Sequence, residues 1–220
     1  MSKSESSKLD IAQLRQEADA LYADLVVGVN KVLDAMPKTN TDKDAIIFVG
    51  RKFLFDSAVL CGEIIWALNE KRVYLGVIGA KTLLEILINT KYIFIHQCAN
   101  SDPVWVEKLC REYMDVYGVG DNDRLNGKAV SDRARAVPPE DALTTYKGLC
   151  KIAHATKHTR HVVVGSEDTK NDFANDTYIV SLTATINTLG YIATFFGVPQ
   201  NGEYEERIIK LAQKYPQRVI

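Results

Sequence analysis

The feature that most constrains this 220-residue sequence is one long apolar stretch, Val73–Ile95. As a helix it would be long enough to cross a bilayer. It also contains the polar residues Lys81, Glu85, Asn89 and Lys91. Such side chains are costly against lipid. We therefore expect a soluble protein with no membrane segment, in which roughly Tyr74 to Gln97 forms the central helix of a bundle.

The polar residues of this predicted helix follow a regular spacing of four, four, three and four positions. They are Lys81, Glu85, Asn89, Tyr92 and His96. Residues with this spacing lie on one face of a helix. Because Glu85 would be costly to bury without a partner, the stripe predicts a second polar helix packed against it.

The best candidate for that second helix is Tyr146–His161, which reads YKGLCKIAHATKHTRH. We expect this helix to begin at Pro138–Asp141. It contains three of the four histidines, together with several basic residues. These residues are His154, His158, His161, Lys147, Lys151, Lys157 and Arg160. In one continuous helix, His154 and His158 would be one turn apart. We expect this helix to pack on the polar stripe and to bring His154 close to Glu85 and Lys81.

The other apolar patterns also have the helical period, so the predicted fold class is all-α, a single bundle of about six or seven helices. The remaining predicted helices are Leu9–Ala35, Thr41–Glu70, Pro103–Tyr117, Asp176–Phe196 and Glu203–Lys214. Gly118–Pro138 reads as a long loop, Val162–Gly165 as a short apolar run that could be extended, and Ser166–Asn175 as a polar connection. Gly50 and Gly62 in the second helix indicate close helix contacts.

We find no strong domain boundary, so residues 1–220 are predicted to form one domain. Residues 1–36 hold the long amphipathic N-terminal helix, 41–161 the core bundle and 176–215 the C-terminal helices. The apolar stripe of the first helix would pack on the body of the protein or form a homodimer surface.

Composition excludes some function classes. Lys and Arg total 27 against 28 for Asp and Glu, so the chain lacks the overall basic excess typical of nucleic-acid-binding proteins. The four cysteines, Cys61, Cys98, Cys110 and Cys150, show no CxxC spacing and lie in apolar segments. Together with an N-terminus that lacks a signal-peptide core, this favours reduced, buried thiols in a cytoplasmic protein.

Metal binding is the first chemistry that the histidines raise. His154 and His158 could reach one metal from a helix, with Glu85 or Glu63 as a further ligand. An HExxH motif needs a glutamate directly after the first histidine, and Ala155 stands there. We therefore predict no metal and no cofactor.

A Glu85–histidine pair is the second candidate chemistry. Such a pair could act as a general base, although a structural hydrogen bond between helices is the favoured interpretation. Cys150 lies four residues before His154, but nothing in the sequence indicates an activated thiolate. The basic residues beside the histidines could instead bind or cleave an RNA backbone.

Two of these stretches carry a family resemblance. KTLLEILINTKYIF at residues 81–94 and YKGLCKIAHATKH at residues 146–158 resemble a bacterial all-helical family of unknown function. Its members pair an Arg-x-x-x-Glu helix with a Tyr-x-x-Ser-x-x-x-x-His helix. Here Lys81 replaces the arginine, Glu85, Tyr146 and His154 match, and Cys150 or its neighbour replaces the serine. The resemblance covers roughly residues 50 to 160.

That family is distantly similar to the HEPN (higher eukaryote and prokaryote nucleotide-binding) bundles, several of which are ribonucleases in toxin and phage-defence systems. Their catalytic signature places an arginine four to six residues before a histidine. Here Lys147 and Lys151 precede His154 and His158, and Arg160 follows them. This departure favours a non-catalytic role.

The resemblance therefore implies a HEPN-like protein of bacterial or phage origin that binds RNA or a partner protein in defence or stress. His158, His161, Lys151, Lys157, Arg160 and Tyr146 are the predicted binding residues. One alternative is a metal-independent ribonuclease that uses His154 with Lys81 and Glu85. The other is a non-enzymatic scaffold or oligomerisation module.

Overall fold

The computed structural model describes residues 10–38, 44–95, 103–119, 125–136, 141–154, 157–200 and 202–217. Within these ranges the chain forms nine α-helices. They are α1 (Ile11–Ala35), α2 (Ala45–Asn69), α3 (Val73–Phe94), α4 (Pro103–Val119), α5 (Val130–Ala136), α6 (Asp141–Ala153), α7 (Lys157–Val164), α8 (Glu167–Phe195) and α9 (Glu203–Lys214). The predicted all-α class is confirmed, but the described part alone has more helices than the expected six or seven.

The core is built around α3, which packs most extensively on α8 and α2. Its buried residues cover most of its circumference, as its apolar sequence predicts. From Phe173 to Ala193, α8 is also buried on almost every side. Both helices are long and apolar enough to cross a membrane, and 56% and 67% of their most apolar windows are buried inside the protein. A core helix passes the same test of length and composition.

The N-terminal helix packs on this core with the face that its sequence predicts. Its buried residues include Leu14, Leu21 and Leu25, and α1 contacts α2, α8 and α9. The helix begins after Asp10, whose side chain accepts a hydrogen bond from the backbone N–H of Gln13 at 3.0 Å. Leu9, at which the helix was predicted to begin, lies outside the described residues. The apolar stripe of α1 is therefore occupied by contacts within the chain.

The two glycines expected at close helix contacts do lie there. Gly62 of α2 lies under the ring of Tyr22 of α1, and a Cβ at this position would stand 2.3 Å from the Tyr22 hydroxyl oxygen. That hydroxyl donates a hydrogen bond to the backbone carbonyl of Ala58 at 3.0 Å. Gly50 lies in the same way against Phe196, at 2.8 Å from a built Cβ. The interpretation as close contacts is confirmed.

The predicted loop Gly118–Pro138 is partly wrong. Leu125 and Lys128 pair across a tight turn, in which Asn126 and Gly127 have φ values of 52° and 68°. This turn leads into the short helix α5. Arg133 of α5 is completely buried and donates a hydrogen bond to the Lys128 carbonyl at 2.5 Å. A charged residue of the predicted loop therefore belongs to the core.

The connection predicted at Ser166–Asn175 is wrong as well, because these residues form the first turns of α8. The Ser166 hydroxyl accepts a hydrogen bond from the backbone N–H of Thr169 at 3.2 Å, and Glu167 and Asp168 occupy the first turn. Acidic residues there complement the helix dipole. Val162–Val164, which could have been extended, is helical and belongs to α7. The last helix has the predicted bounds.

Candidate functional site

The polar stripe of α3 meets α6 in a cluster of three side chains, which we call the Glu85 cluster: Lys81, Glu85 and Tyr146. The Lys81 ammonium lies 2.8 Å from Oε1 of Glu85. The Tyr146 hydroxyl donates a hydrogen bond to the same oxygen at 2.9 Å. The Lys81 Nζ atom also lies 5.9 Å from the centre of the Tyr146 ring, within cation–π range.

The helix periods explain why these three groups meet. Lys81 and Glu85 are four residues apart on α3, so their side chains share one face. Tyr146 is only 8% exposed and projects from α6 onto that face. The Lys81 and Glu85 side chains are about one-fifth exposed. The structure thus confirms that the stripe packs against the helix at residue 146. The expected partner of Glu85 was a histidine of that helix or Lys81 one turn away, and the pair with Lys81 is the one that forms.

Tyr146 acts in this cluster as a donor. Burial raises the pKa of its phenol well above the ordinary value, and the Glu85 carboxylate and a hydrogen bond with Cys150 raise the pKa further. A neutral phenol can donate to a carboxylate but cannot serve as a phenolate base or nucleophile near neutral pH. Glu85 in turn has two donors on one oxygen. The cluster is thus a network that holds α6 in register on α3.

The predicted histidine face is not formed. Tyr146–His161 is divided between α6 and α7, so His154 and His158 do not lie on one helix. His154 occupies the turn after α6, where its backbone N–H bonds to the Cys150 carbonyl. The Thr159 hydroxyl of α7 bonds to the Ile152 carbonyl at 2.5 Å. This bond satisfies a carbonyl at the end of α6 and fastens the two helices together.

No hydrogen bond or ion pair joins Glu85 and His154, both of which the structure describes. His154 lies eight residues beyond Tyr146, about 12 Å along the helix axis at 1.5 Å per residue. Its side chain is exposed. The expected Glu85–His154 pair is therefore wrong, and the reason is that helical rise carries His154 two turns past the cluster. His96, the last residue of the predicted stripe, lies outside the described residues.

Of the predicted binding residues, the structure describes the side chains of Tyr146, which is buried, and of Lys151, Arg160 and His161, which are exposed. We call the exposed basic residues of α6 and α7, together with His154, the α6–α7 basic face: Lys147, Lys151, His154, Arg160 and His161. Lys157 and His158 belong to the first turn of α7, and the structure does not describe their side chains. This face is positively charged in a chain whose net charge is −1.

The described cysteines are buried or half-buried thiols. Burial raises the pKa of the Cys61 thiol to about 12, against a smaller opposing effect of its hydrogen bond with Thr185. Burial likewise raises the pKa of Cys110 to about 12. Neither thiol is an activated nucleophile. Among the described residues, no group of three or more His, Cys, Asp and Glu side chains is placed to hold a metal.

The outer face of α2 carries a feature that the sequence patterns did not identify. Four large apolar side chains, which we call the α2 face, point to solvent: Phe48 (38% exposed), Phe55 (59%), Val59 (46%) and Trp66 (50%). At 100° per residue they fall within about 40° of arc. The signal was available, because apolar residues extend around most of α2 beside a narrow charged flank, and a helix of that kind either lies in the core or has an unpaired apolar face.

The chain matches no protein-family model, no curated protein and no solved structure. The function has to be argued from the arrangement of its own residues.

Proposed function

We propose that this protein acts by binding rather than by catalysis, and that it self-associates as a homodimer through the α2 face. The observation that carries the proposal is the continuous stripe of half-exposed rings on a helix that is otherwise packed. The largest apolar patch on a soluble monomer is typically about 300–600 Å² and is often an interaction site, and the α2 face has this size.

The spacing along α2 favours a second copy of the chain as the occupant. Phe48 and Trp66 lie nine residues before and after Ser57, and Phe55 and Val59 lie two residues before and after it. The stripe is therefore nearly symmetric about its own centre. Two copies packed antiparallel around a two-fold axis would set Phe48 against Trp66 and Phe55 against Val59. An isologous interface needs this self-complementarity.

The charges beside the stripe fit the same arrangement. Lys52 and Glu63 lie on the same flank of α2, at nearly equal distances from Ser57 on opposite sides. In the antiparallel pair, Lys52 of one protomer would lie beside Glu63 of the other. Lys52 already bonds to Asp56 at 2.5 Å within its own helix, which holds its ammonium on that flank. Glu63 is exposed and makes no ion pair with any residue that the structure describes.

The size of the face sets the expected affinity. Three half-exposed aromatic rings and one valine present roughly 350 Å² per protomer, taking about half of the 150–250 Å² that an aromatic side chain buries. Burying both copies is worth about 17 kcal/mol at 25 cal/mol per Å². Association costs about 10 kcal/mol in lost freedom and side-chain ordering. The balance of about 7 kcal/mol corresponds to a Kd on the order of 10 µM.

Sedimentation velocity from 1 to 200 µM tests this proposal. The wild-type chain is expected to change from monomer to dimer across this range. Phe55 lies near the two-fold axis and occurs twice in the interface, so Phe55→Glu is expected to raise the Kd by about 1000-fold. Val104→Glu is the matched control, because Val104 on α4 is 73% exposed and lies outside the α2 face.

The control should dimerise like the wild type, with circular dichroism showing the same helix content in all three proteins. A wild-type chain that remains monomeric at 200 µM contradicts the proposal. So does an equal loss of dimer in both variants, which would indicate a general effect of added charge.

A second candidate function is RNA binding by the α6–α7 basic face, in a HEPN-like protein of bacterial or phage origin that acts in defence or stress. The exposed cations Lys147, Lys151 and Arg160 support it, since phosphate contacts from Lys and Arg supply most of the affinity for an RNA backbone. The near-zero net charge implies that any binding depends on this local face. His154 and His161 would lie beside the bound strand.

Fluorescence anisotropy with a labelled single-stranded RNA at 50 to 300 mM salt tests this second candidate. Lys147→Glu with Lys151→Glu is expected to abolish binding at 150 mM salt, whereas Lys31→Glu on α1 should not change it. Gel analysis of the same RNA tests the ribonuclease alternative. Cleavage that His154→Ala removes without changing RNA affinity would establish catalysis. No binding at 50 mM salt would remove both.

A further inference from the structure

A cavity of about 400 Å³ opens between α3, α8 and α9, and Thr145 of α6 also lines it. Its floor is apolar and includes Leu84 and Ile88 of α3 and Val180 and Ala184 of α8. Its outer wall is α9, through residues such as Ile208. The volume lies within the range of small-molecule sites, which are apolar clefts with a few polar groups.

A cation and an aromatic side chain meet at one end of this cavity, whereas Thr183 lies two turns, about 12 Å, before Tyr191 on α8. Lys91 follows Leu84 and Ile88 on the same face of α3, and its Nζ lies 5.6 Å from the centre of the Tyr191 ring. Thr183 and Asn187 precede Tyr191 at four-residue intervals on α8, so the three share one face. None of the three makes a side-chain hydrogen bond within the part of the chain that the structure describes.

The charge of Lys91 has no protein counterpart at this site. Among the described residues no carboxylate lies within ion-pair distance of its ammonium. Burial lowers the pKa of Lys91, and no neighbouring charge offsets this effect. A half-buried cation at the end of an apolar cleft is an arrangement that an anionic ligand would complete.

We propose that this cavity binds a medium-chain aliphatic carboxylate, with its hydrocarbon chain along the α3 floor and its carboxylate against Lys91. The floor from Leu84 to Lys91 is about 10 Å long at 1.5 Å per residue. An extended chain advances about 1.2 Å per bond, so eight to ten carbons fill this length. Tyr191 and Asn187 would donate hydrogen bonds to the second carboxylate oxygen. This inference does not depend on the proposed dimer or on RNA binding.

Isothermal titration of the full chain with hexanoate, octanoate and decanoate tests the assignment. Each buried methylene is expected to raise affinity about fourfold, so each step of two carbons should raise it about 15-fold. Octanol, which has the same chain without the charge, should bind at least tenfold more weakly than octanoate. Lys91→Gln should remove this difference by weakening octanoate alone.

Two further variants separate the site from general effects. Lys210→Gln removes an equal charge from α9, outside this cavity, and should bind octanoate like the wild type. Thr183→Trp fills the cleft from a half-buried position and should abolish binding of all three carboxylates while the helix content is retained.

Absence of binding at millimolar octanoate overturns the proposal. If octanoate and octanol bind with equal affinity, and Lys91→Gln changes neither affinity, the proposed contact between the carboxylate and Lys91 is refuted. Unchanged binding in Thr183→Trp shows that any ligand lies elsewhere.

Discussion

Removing the Tyr146 hydroxyl decides whether the Glu85 cluster is structural. In Tyr146→Phe, Glu85 loses the donor at 2.9 Å and keeps only the Lys81 ammonium at 2.8 Å. A hydrogen bond to a charged group contributes about 1.5–3 kcal/mol when the group is buried. The Glu85 side chain is about one-fifth exposed, so water replaces part of this bond. We expect unfolding free energy to fall by about 1–1.5 kcal/mol and Tm by about 3–5 °C.

Urea unfolding followed by circular dichroism measures this loss, with Tyr74→Phe as the matched control. Tyr74 lies on α3 and is half-buried, and its hydroxyl makes no hydrogen bond within the described part of the chain. Its loss should change stability by less than about 0.5 kcal/mol. The two variants thus remove the same oxygen from the same residue type, with and without a bonding partner.

The pH dependence gives a second check on the same cluster. The Tyr146 pKa is raised in the folded state, so its contribution is fully present below pH 10, the ordinary phenol value, and is lost as pH rises above it. Tyr146→Phe should therefore lose less stability than the wild type between pH 9 and pH 11.

A change below about 0.3 kcal/mol in Tyr146→Phe would refute the structural role, because the bond would then contribute nothing. Unchanged stability together with lost RNA cleavage would instead assign Tyr146 and Glu85 to catalysis. Glu85→Gln distinguishes charge from shape, since it keeps an acceptor for Tyr146 but removes the ion pair with Lys81. It should destabilise the fold by no more than Tyr146→Phe does.

Three further measurements test other parts of the structure. Gly62→Ala should lower the free energy of unfolding by about 1–2 kcal/mol, because the new Cβ displaces Tyr22. Gly148→Ala should raise the free energy of unfolding by about 0.5–1 kcal/mol, because a Cβ at this position has no neighbour within 4 Å. Chemical denaturation would show both signs. Because the Cys61 pKa is raised to about 12 in the folded state, the protonated thiol contributes stability below pH 9, and this contribution is lost as pH approaches 12. Cys61→Ala should therefore reduce the fall of the urea midpoint at alkaline pH. Ser166→Ala should cost about 1 kcal/mol and increase amide exchange in the first turn of α8.

The sequence by itself determined the helices whose patterns are unambiguous. The apolar run of α3 predicted a central helix, and Glu203–Lys214 was predicted with the bounds that the structure has. Local signals were enough because each pattern specifies which face must leave water. The α8 start was also readable, since Ser166 followed by two acidic residues is a standard N-terminal signal. The β-branched and polar residues that follow Ser166 obscured it.

The helix partners were decided only by tertiary structure. The spacing of Lys81 and Glu85 predicted a polar contact, but whether Tyr146 or His154 made it depended on the point at which α6 crosses α3. The sequence also did not show that α6 ends at Ala153, where the Thr159 hydroxyl of α7 bonds to the Ile152 carbonyl. Periodicity alone does not distinguish a helix of sixteen residues from two shorter ones joined by a turn.

Exposure was the other property that only the fold could decide. Apolar residues extend around most of α2, and the local pattern does not show which part of this apolar surface the protein leaves uncovered. Packing of α1, α3, α4 and α8 covers part of its circumference and leaves the face of Phe55 and Trp66 in solvent. Arg133 shows the opposite case: it is a charged residue in a polar segment, and in the structure it is completely buried. Whether a side chain is buried depends on which helices pack beside it, and that packing is set by the fold of the whole chain.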